Sequence, residues 1–156
     1  MPARLNPFAT EIGPKITRHL QAAHHELVAT TVPTGTMELV NIRVSQINGC
    51  GACLDMHVKE AARAGEDALR INLVGAWRET TVFSDAERAA LELAEAGTRL
   101  ADGAGVSDEI WEAAAKHYDE EELMVLVSQI AFINAATRMN VMLRVQGGGD
   151  KAGSLG

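Results

Sequence analysis

Apolar residues recur three or four positions apart along nearly the whole chain, and no stretch convincingly alternates apolar with polar residues at the period of two that a half-buried strand requires. That spacing confines the chain to helices packed on helices. Composition agrees where it bears on the point, since 25 alanines and an aromatic content of 4% favour helix over sheet. With 156 residues there is room for one domain and little more. The expected fold is an all-α, single-domain bundle of six or seven helices.

The helix boundaries follow from punctuation. Residues 14–29 carry Ile16, Leu20, Ala23 and Leu27 on one face. Thr34 is the expected cap of a second helix, whose stripe of Met37, Val40, Val44 and Ile47 ends at Asn48-Gly49, a turn signal. Residues 50–64 form a third, with Gly65 as its stop. A shorter helix over 67–76 leads into an irregular 77–83. Ser84 and Glu87 have the spacing of a capping box and open a helix to about Ala101. Ser107 caps a short helix that ends near His117, and Asp119 with Glu122 forms a second capping box before the longest helix, which runs to about Val145. The organisation expected is an extension over 1–13, a helical domain over 14–146 and a flexible tail over 147–156 that opens with Gly147-Gly148-Gly149.

Charge narrows the partners. The balance of 14 basic and 21 acidic residues, −7, leaves no cationic surplus to neutralise a phosphate backbone or an anionic bilayer. No nucleic acid and no membrane are therefore expected as partners. With no run of 18 apolar residues and no apolar stretch behind Met1, neither a membrane span nor a secretory leader is expected, which places the chain in the cytoplasm.

Thiols are kept reduced there, so the arrangement Cys50-Gly51-Ala52-Cys53 stands out. Thiols at i and i+3 share a helix face, and closing them into a reversible disulfide needs only a small shift at the helix start. A helix N-terminus favours thiolate over thiol. His57 lies one turn further along the same face. Three plainer readings stand beside this one: two small thiols packed in a hairpin, a thioredoxin-like motif lacking its strand, and a zinc site short of ligands. No metal and no organic cofactor are expected. His19, His24 and His25 read as solvated residues of the first helix, and His117 either caps its helix or enters a site from a neighbouring subunit.

Glu38 precedes the Asn48-Gly49 turn by about as many residues as His57 follows it. If the turn makes an antiparallel hairpin, with C-x-x-C at the start of its second helix, the two side chains meet. A carboxylate on the imidazole would raise its basicity toward a cysteine proton. Otherwise Glu38 is a solvated first-turn acid.

Glu38, the Cys50–Cys53 motif and His57, at this spacing, resemble the alkyl hydroperoxidase D core of the carboxymuconolactone decarboxylase-like family, and the segment from His117 to Asn140 resembles that family's closing helix. The likeness spans roughly residues 15–145. It implies a trimeric or hexameric peroxiredoxin-type peroxidase or disulfide oxidoreductase for antioxidant defence. In that scheme Cys53 attacks a small hydroperoxide, Cys50 resolves, Glu38 and His57 relay protons, and a thiol or lipoyl-type donor protein restores the dithiol. Ala52 departs from the pattern, because better-known members place a histidine between the cysteines. The competing expectation is a non-catalytic helical oligomer that uses the pair as a redox switch or ligand contact. Asn134, Arg138 and Asn140 interrupt the apolar closing helix; buried there they need partners, which predicts a homo-oligomer based on trimers, the plainer reading being that they face solvent on a monomer.

Overall fold

The computed structural model describes residues 2–149, 151 and 153, and among these it contains seven α-helices and no strand. They are α1 (Gly13–Val28), α2 (Thr34–Asn48), α3 (Gly51–Arg63), α4 (Ala68–Leu73), α5 (Asp85–Thr98), α6 (Asp108–Ala115) and α7 (Glu120–Leu143), with 3₁₀ turns at Pro7–Ala9 and Val74–Glu79. Residues 150, 152 and 154–156 of the expected tail lie outside the described residues.

Local chemistry sets most of the starts. Both capping boxes form: the Ser84 hydroxyl accepts from the Glu87 amide, the Asp119 carboxylate accepts from the Glu122 amide, and each glutamate accepts in return from the cap's own N–H. Ser107 caps α6 and Asp67 caps α4 with a side-chain oxygen alone, accepting from the Ile110 and Leu69 amides. Thr34 does not cap α2. It is the first helical residue, and Pro33 takes the cap position, where the N–H that proline lacks would have had no helical partner. Helix α5 stops at Thr98, short of Ala101, where a glycine-rich stretch with Gly105 at φ +74° takes over. Helix α7 stops at Leu143, because Arg144 turns left-handed at φ 56°.

Helix α2 is the axle of the bundle and packs against α3, α5 and α7. Leu39, Val40, Ile42 and Val44 are fully buried around it. At about 1.5–3 kcal/mol for each such side chain removed from water, this one helix anchors the core. Val40 and Val44 pack with Cys50, Cys53, Leu93, Leu126 and Ile133. Leu39 and Ile42 pack on the other side with Ile71, Val74, Trp77, Phe83 and Leu91. The helix expected over 67–76 ends at Leu73, and a 3₁₀ turn carries the chain through Trp77 to Glu79, where the sequence reads as irregular. Glu95 holds this segment: its carboxylate accepts from Trp77 Nε1 at 3.0 Å and from Arg43 Nε at 2.6 Å and pairs with Arg78.

The polar residues of α7 find their partners within the chain and need none in a second subunit. Asn134 is buried and satisfied within the chain: its carbonyl accepts from Asn48 Nδ2 at 2.9 Å and Arg138 Nη1 at 2.8 Å, and its amide donates to Thr98 Oγ1 at 3.0 Å. Asn140 also finds an intrachain partner, described below.

Candidate active site

The site grows out of the α2–α3 turn. Gly49, at φ +67°, adopts the left-handed conformation that a side chain resists, and its N–H returns to the Gln46 carbonyl. Asn48 donates to Asn134 and to Thr137 Oγ1, both at 2.9 Å, and so ties the turn to α7. The chain then re-enters a helix with Cys50 as its cap. The Cys50 sulfur accepts from the Cys53 amide at 3.2 Å, the role an oxygen usually plays at a helix start.

Cys50 and Cys53 are joined as a disulfide with Cα atoms 5.4 Å apart, within the usual span for such a bridge. Both residues are buried, Cys53 completely. Ala52 between them is buried in the same core, so no titratable side chain separates the two sulfurs along the chain.

Glu38 and His57 meet as the hairpin arithmetic predicted. Glu38 Oε2 lies 2.8 Å from His57 Nδ1, across the α2–α3 interface, and both side chains are buried. Glu38 is therefore not a solvated helix-end acid. A carboxylate that is ionised can only accept in this hydrogen bond, which then runs from Nδ1–H to Oε2. His57 is four residues beyond Cys53 on α3, the spacing of side chains stacked on one helix face.

Sequence reasoning missed two residues near this hairpin. Asn140 of α7 donates from Nδ2 to Cys53 Sγ at 3.2 Å. In sequence it reads as a candidate for a subunit interface, because a lone polar residue on an apolar helix carries no sign of its partner 87 positions away. His24 is not solvated: it is buried, and its ring stacks on Phe132 of α7 with centroids 5.6 Å apart. Its exposed neighbour His25 disguised it in sequence. His117 is exposed in the turn after α6. Among the described residues, no group of three or more His, Cys, Asp or Glu side chains is placed to hold a metal ion.

An all-helical hairpin that holds a cysteine pair beside a buried carboxylate–imidazole couple defines a class of protein. Residues 14–96 match the Carboxymuconolactone decarboxylase family, and the chain belongs to that family, with an AhpD-like core. It is 38% identical over 133 residues to the uncharacterized protein YdfG of Bacillus subtilis (strain 168), covering 85% of this chain and 90% of that one. Among solved structures it superposes with a TM-score of 0.87 on ATU0492 from Agrobacterium tumefaciens. The two share 31% identity over 96% of this chain and 100% of the other. ATU0492 is a protein of unknown function proposed to be the antioxidant defence protein AhpD. The debrominase Bmp8 shares the fold, with a TM-score of 0.76 at 22% identity over 87% of this chain and 73% of its own. Among the described residues, no helix is long and apolar enough to cross a membrane.

Proposed function

We propose that the chain is a thiol-dependent peroxidase working in antioxidant defence in the cytoplasm. In this reading, His57 takes the Cys53 proton, and the thiolate attacks the terminal oxygen of a small hydroperoxide. The sulfur–oxygen bond forms, the oxygen–oxygen bond breaks, and the leaving alkoxide takes the proton back from His57 as the alcohol. Cys50 then displaces water from the Cys53 sulfenic acid to form the disulfide. A dithiol donor, of small-molecule or lipoyl-protein type, returns the two electrons by exchange. No organic cofactor enters this scheme.

The observation that carries the reading is the buried Glu38–His57 couple on the hairpin that presents the cysteine pair at a helix N-terminus. A pair serving only as packing has no need of a carboxylate–imidazole couple beside it, which is costly to bury. Membership in a family with AhpD-like neighbours adds support.

A trimer or hexamer belongs to the same proposal. The exposed apolar residues Ile16 and Val28 on α1, and Met124, Val127, Val141 and Met142 on α7, support it. Hydroperoxide consumption with dithiothreitol or dihydrolipoamide tests the chemistry. Wild-type protein is expected to turn over and Cys53→Ser to be inactive; equal rates would leave the non-catalytic redox switch as the reading.

A further inference from the structure

Beyond α7, Arg144 turns the chain left-handed and the residues that follow run back over the first turn of α3. The Val145 N–H returns to the Asn140 carbonyl at 3.0 Å, and its side chain packs on the core cluster that includes Cys50, Ala52 and Cys53. Gly147 then lies against the Gly51–Ala52 peptide, inside the loop that the disulfide closes. A β-carbon at 147 would come within 2.4 Å of the Gly51 carbonyl oxygen and 3.1 Å of the Ala52 nitrogen, so the contact is open to glycine alone. Gly148, at φ +100°, donates its N–H to Asp55 Oδ2 at 2.8 Å, and further on Gly153 donates to Glu60.

The two ends of the disulfide loop are held unequally. Cys53 is fully buried within α3, and its sulfur takes the Asn140 N–H at 3.2 Å. Cys50 stands outside the helix with extended backbone, between Gly49, which is left-handed, and Gly51, where a β-carbon would meet nothing. When the bond is reduced, sulfurs about 2 Å apart must separate to non-bonded contact, and the side of the loop free to give is Cys50–Gly51. Asp55, one turn on, stays with the body of α3, where it pairs with Lys59 at 2.6 Å. The strap is thus fastened at one point that moves with the redox state and at another that does not.

We propose that residues 145–149 are a redox-sensitive latch, closed on α3 while Cys50 and Cys53 are bridged and released when the bridge is reduced to two thiols. In that reduction a donor dithiol gives up two electrons and two protons, its own sulfurs joining as a disulfide while the Cys50–Cys53 bond breaks. A shift of Gly51 either closes on Gly147, where there is no clearance, or draws away from it. Either way the fit is lost, and Gly148 lets go of Asp55.

The hold is light enough to switch. Gly147, Gly148 and Gly149 are exposed and bring no side chain to the contact, so the fit at Gly51, the Gly148 hydrogen bond and the Val145 side chain carry it. A segment with so few buried contacts opens at small cost. One hydrogen bond to a charged acceptor is enough to shift such an opening about tenfold. Release uncovers the Asp55 carboxylate on α3, which turns an event at two buried sulfurs into a change at the surface. The latch goes beyond the peroxidase reading and needs only that the pair be reducible, whether it is catalytic or not.

The test uses the full chain, isotope-labelled, and dithiothreitol, with no hydroperoxide. Exchange of the Gly148 amide with water, followed by NMR, is expected to be at least about tenfold faster in the dithiol than in the disulfide, while the amides of α5 keep their protection. The double variant Cys50→Ser with Cys53→Ser should exchange at the fast rate with or without dithiothreitol. Gly147→Ala should exchange fast in both states, whereas Gly149→Ala, where a β-carbon meets nothing, should retain the wild-type difference. If alanine at 147 perturbs folding by circular dichroism, Asp55→Ala, which removes the acceptor, takes its place with the same expectation. Equal Gly148 exchange in the two redox states overturns the latch, as does a redox difference that survives in Gly147→Ala or a bridge that dithiothreitol leaves intact by mass. If wild-type protein consumes no hydroperoxide, the peroxidase reading falls, and the exchange rates still decide the latch.

Discussion

Replacing Asn140 with leucine removes the amide that donates to Cys53 while roughly preserving side-chain volume. In the reduced protein that donor faces a sulfur that is either a thiol or a thiolate, and a hydrogen bond to the charged form is worth more than one to the neutral form. Hydrogen bonds to charged groups contribute about 1.5–3 kcal/mol, against about 1 kcal/mol for neutral pairs. Taking a differential of about 1.4 kcal/mol, the thiolate fraction below the midpoint of its titration should fall about tenfold. The assay is the rate of iodoacetamide modification of Cys53 in Cys50→Ser protein, read by mass spectrometry from pH 5 to 9. Asn140→Leu should displace the whole profile toward higher pH and leave the plateau rate at high pH unchanged. A profile coincident with the parent would show that the Asn140 contact carries no weight in the reduced state. A lowered plateau with an unmoved midpoint would point to restricted access instead.

Three further outcomes follow from the geometry. Cys50→Ser should fold as well as the wild type, since a serine hydroxyl can accept from the Cys53 amide in place of sulfur, and after hydroperoxide addition its Cys53 sulfenic acid should be trapped by dimedone; absence of the adduct would remove Cys50 as the resolving residue. Ile42→Ala, at a site with no exposure between α2 and the Trp77–Phe83 cluster, should cost about 2–5 kcal/mol in urea unfolding, and a loss below about 1 kcal/mol would mean the second core is loosely packed. Burial pushes the Glu95 carboxyl up, but Arg78, Trp77 and Arg43 together outweigh it and hold the group below the ordinary 4.5. The stabilisation is therefore present above pH 4.5 and is lost as the pH falls through the lower folded value, so Glu95→Gln should flatten the acid limb of a stability-versus-pH curve; an unchanged limb would refute the assignment.

What could be read from the sequence divides along a physical line. Interactions closed within one helical turn were legible: the Ser84 and Asp119 boxes need only residues three apart. The Glu38–His57 meeting was legible at one remove, because a single turn at Gly49 converts sequence position into height along two antiparallel helices. Asn140 and Asn134 were placed on the right helix and given the wrong partners, since their contacts with Cys53 and Asn48 depend on how α7 lies over the hairpin. His24 failed for the same reason. Its helix has an ordinary amphipathic pattern, and only docking against Phe132 makes one of two adjacent histidines part of the interior.

The three-residue separation of Cys50 and Cys53 also bears on how the molecule tolerates its own oxidation. A covalent link restrains a denatured chain in proportion to the logarithm of the loop it closes, so a loop this short restrains it by only about 2 kcal/mol in the chain-entropy picture, less than half of what a hundred-residue loop would contribute. Set against the roughly 5–15 kcal/mol by which a domain is usually stable, that is a modest but real share. The disulfide unfolds less readily than the dithiol, yet both forms stay overwhelmingly folded, so a rise or fall in the supply of reductant changes what the chain can react with far more than how much of it is folded.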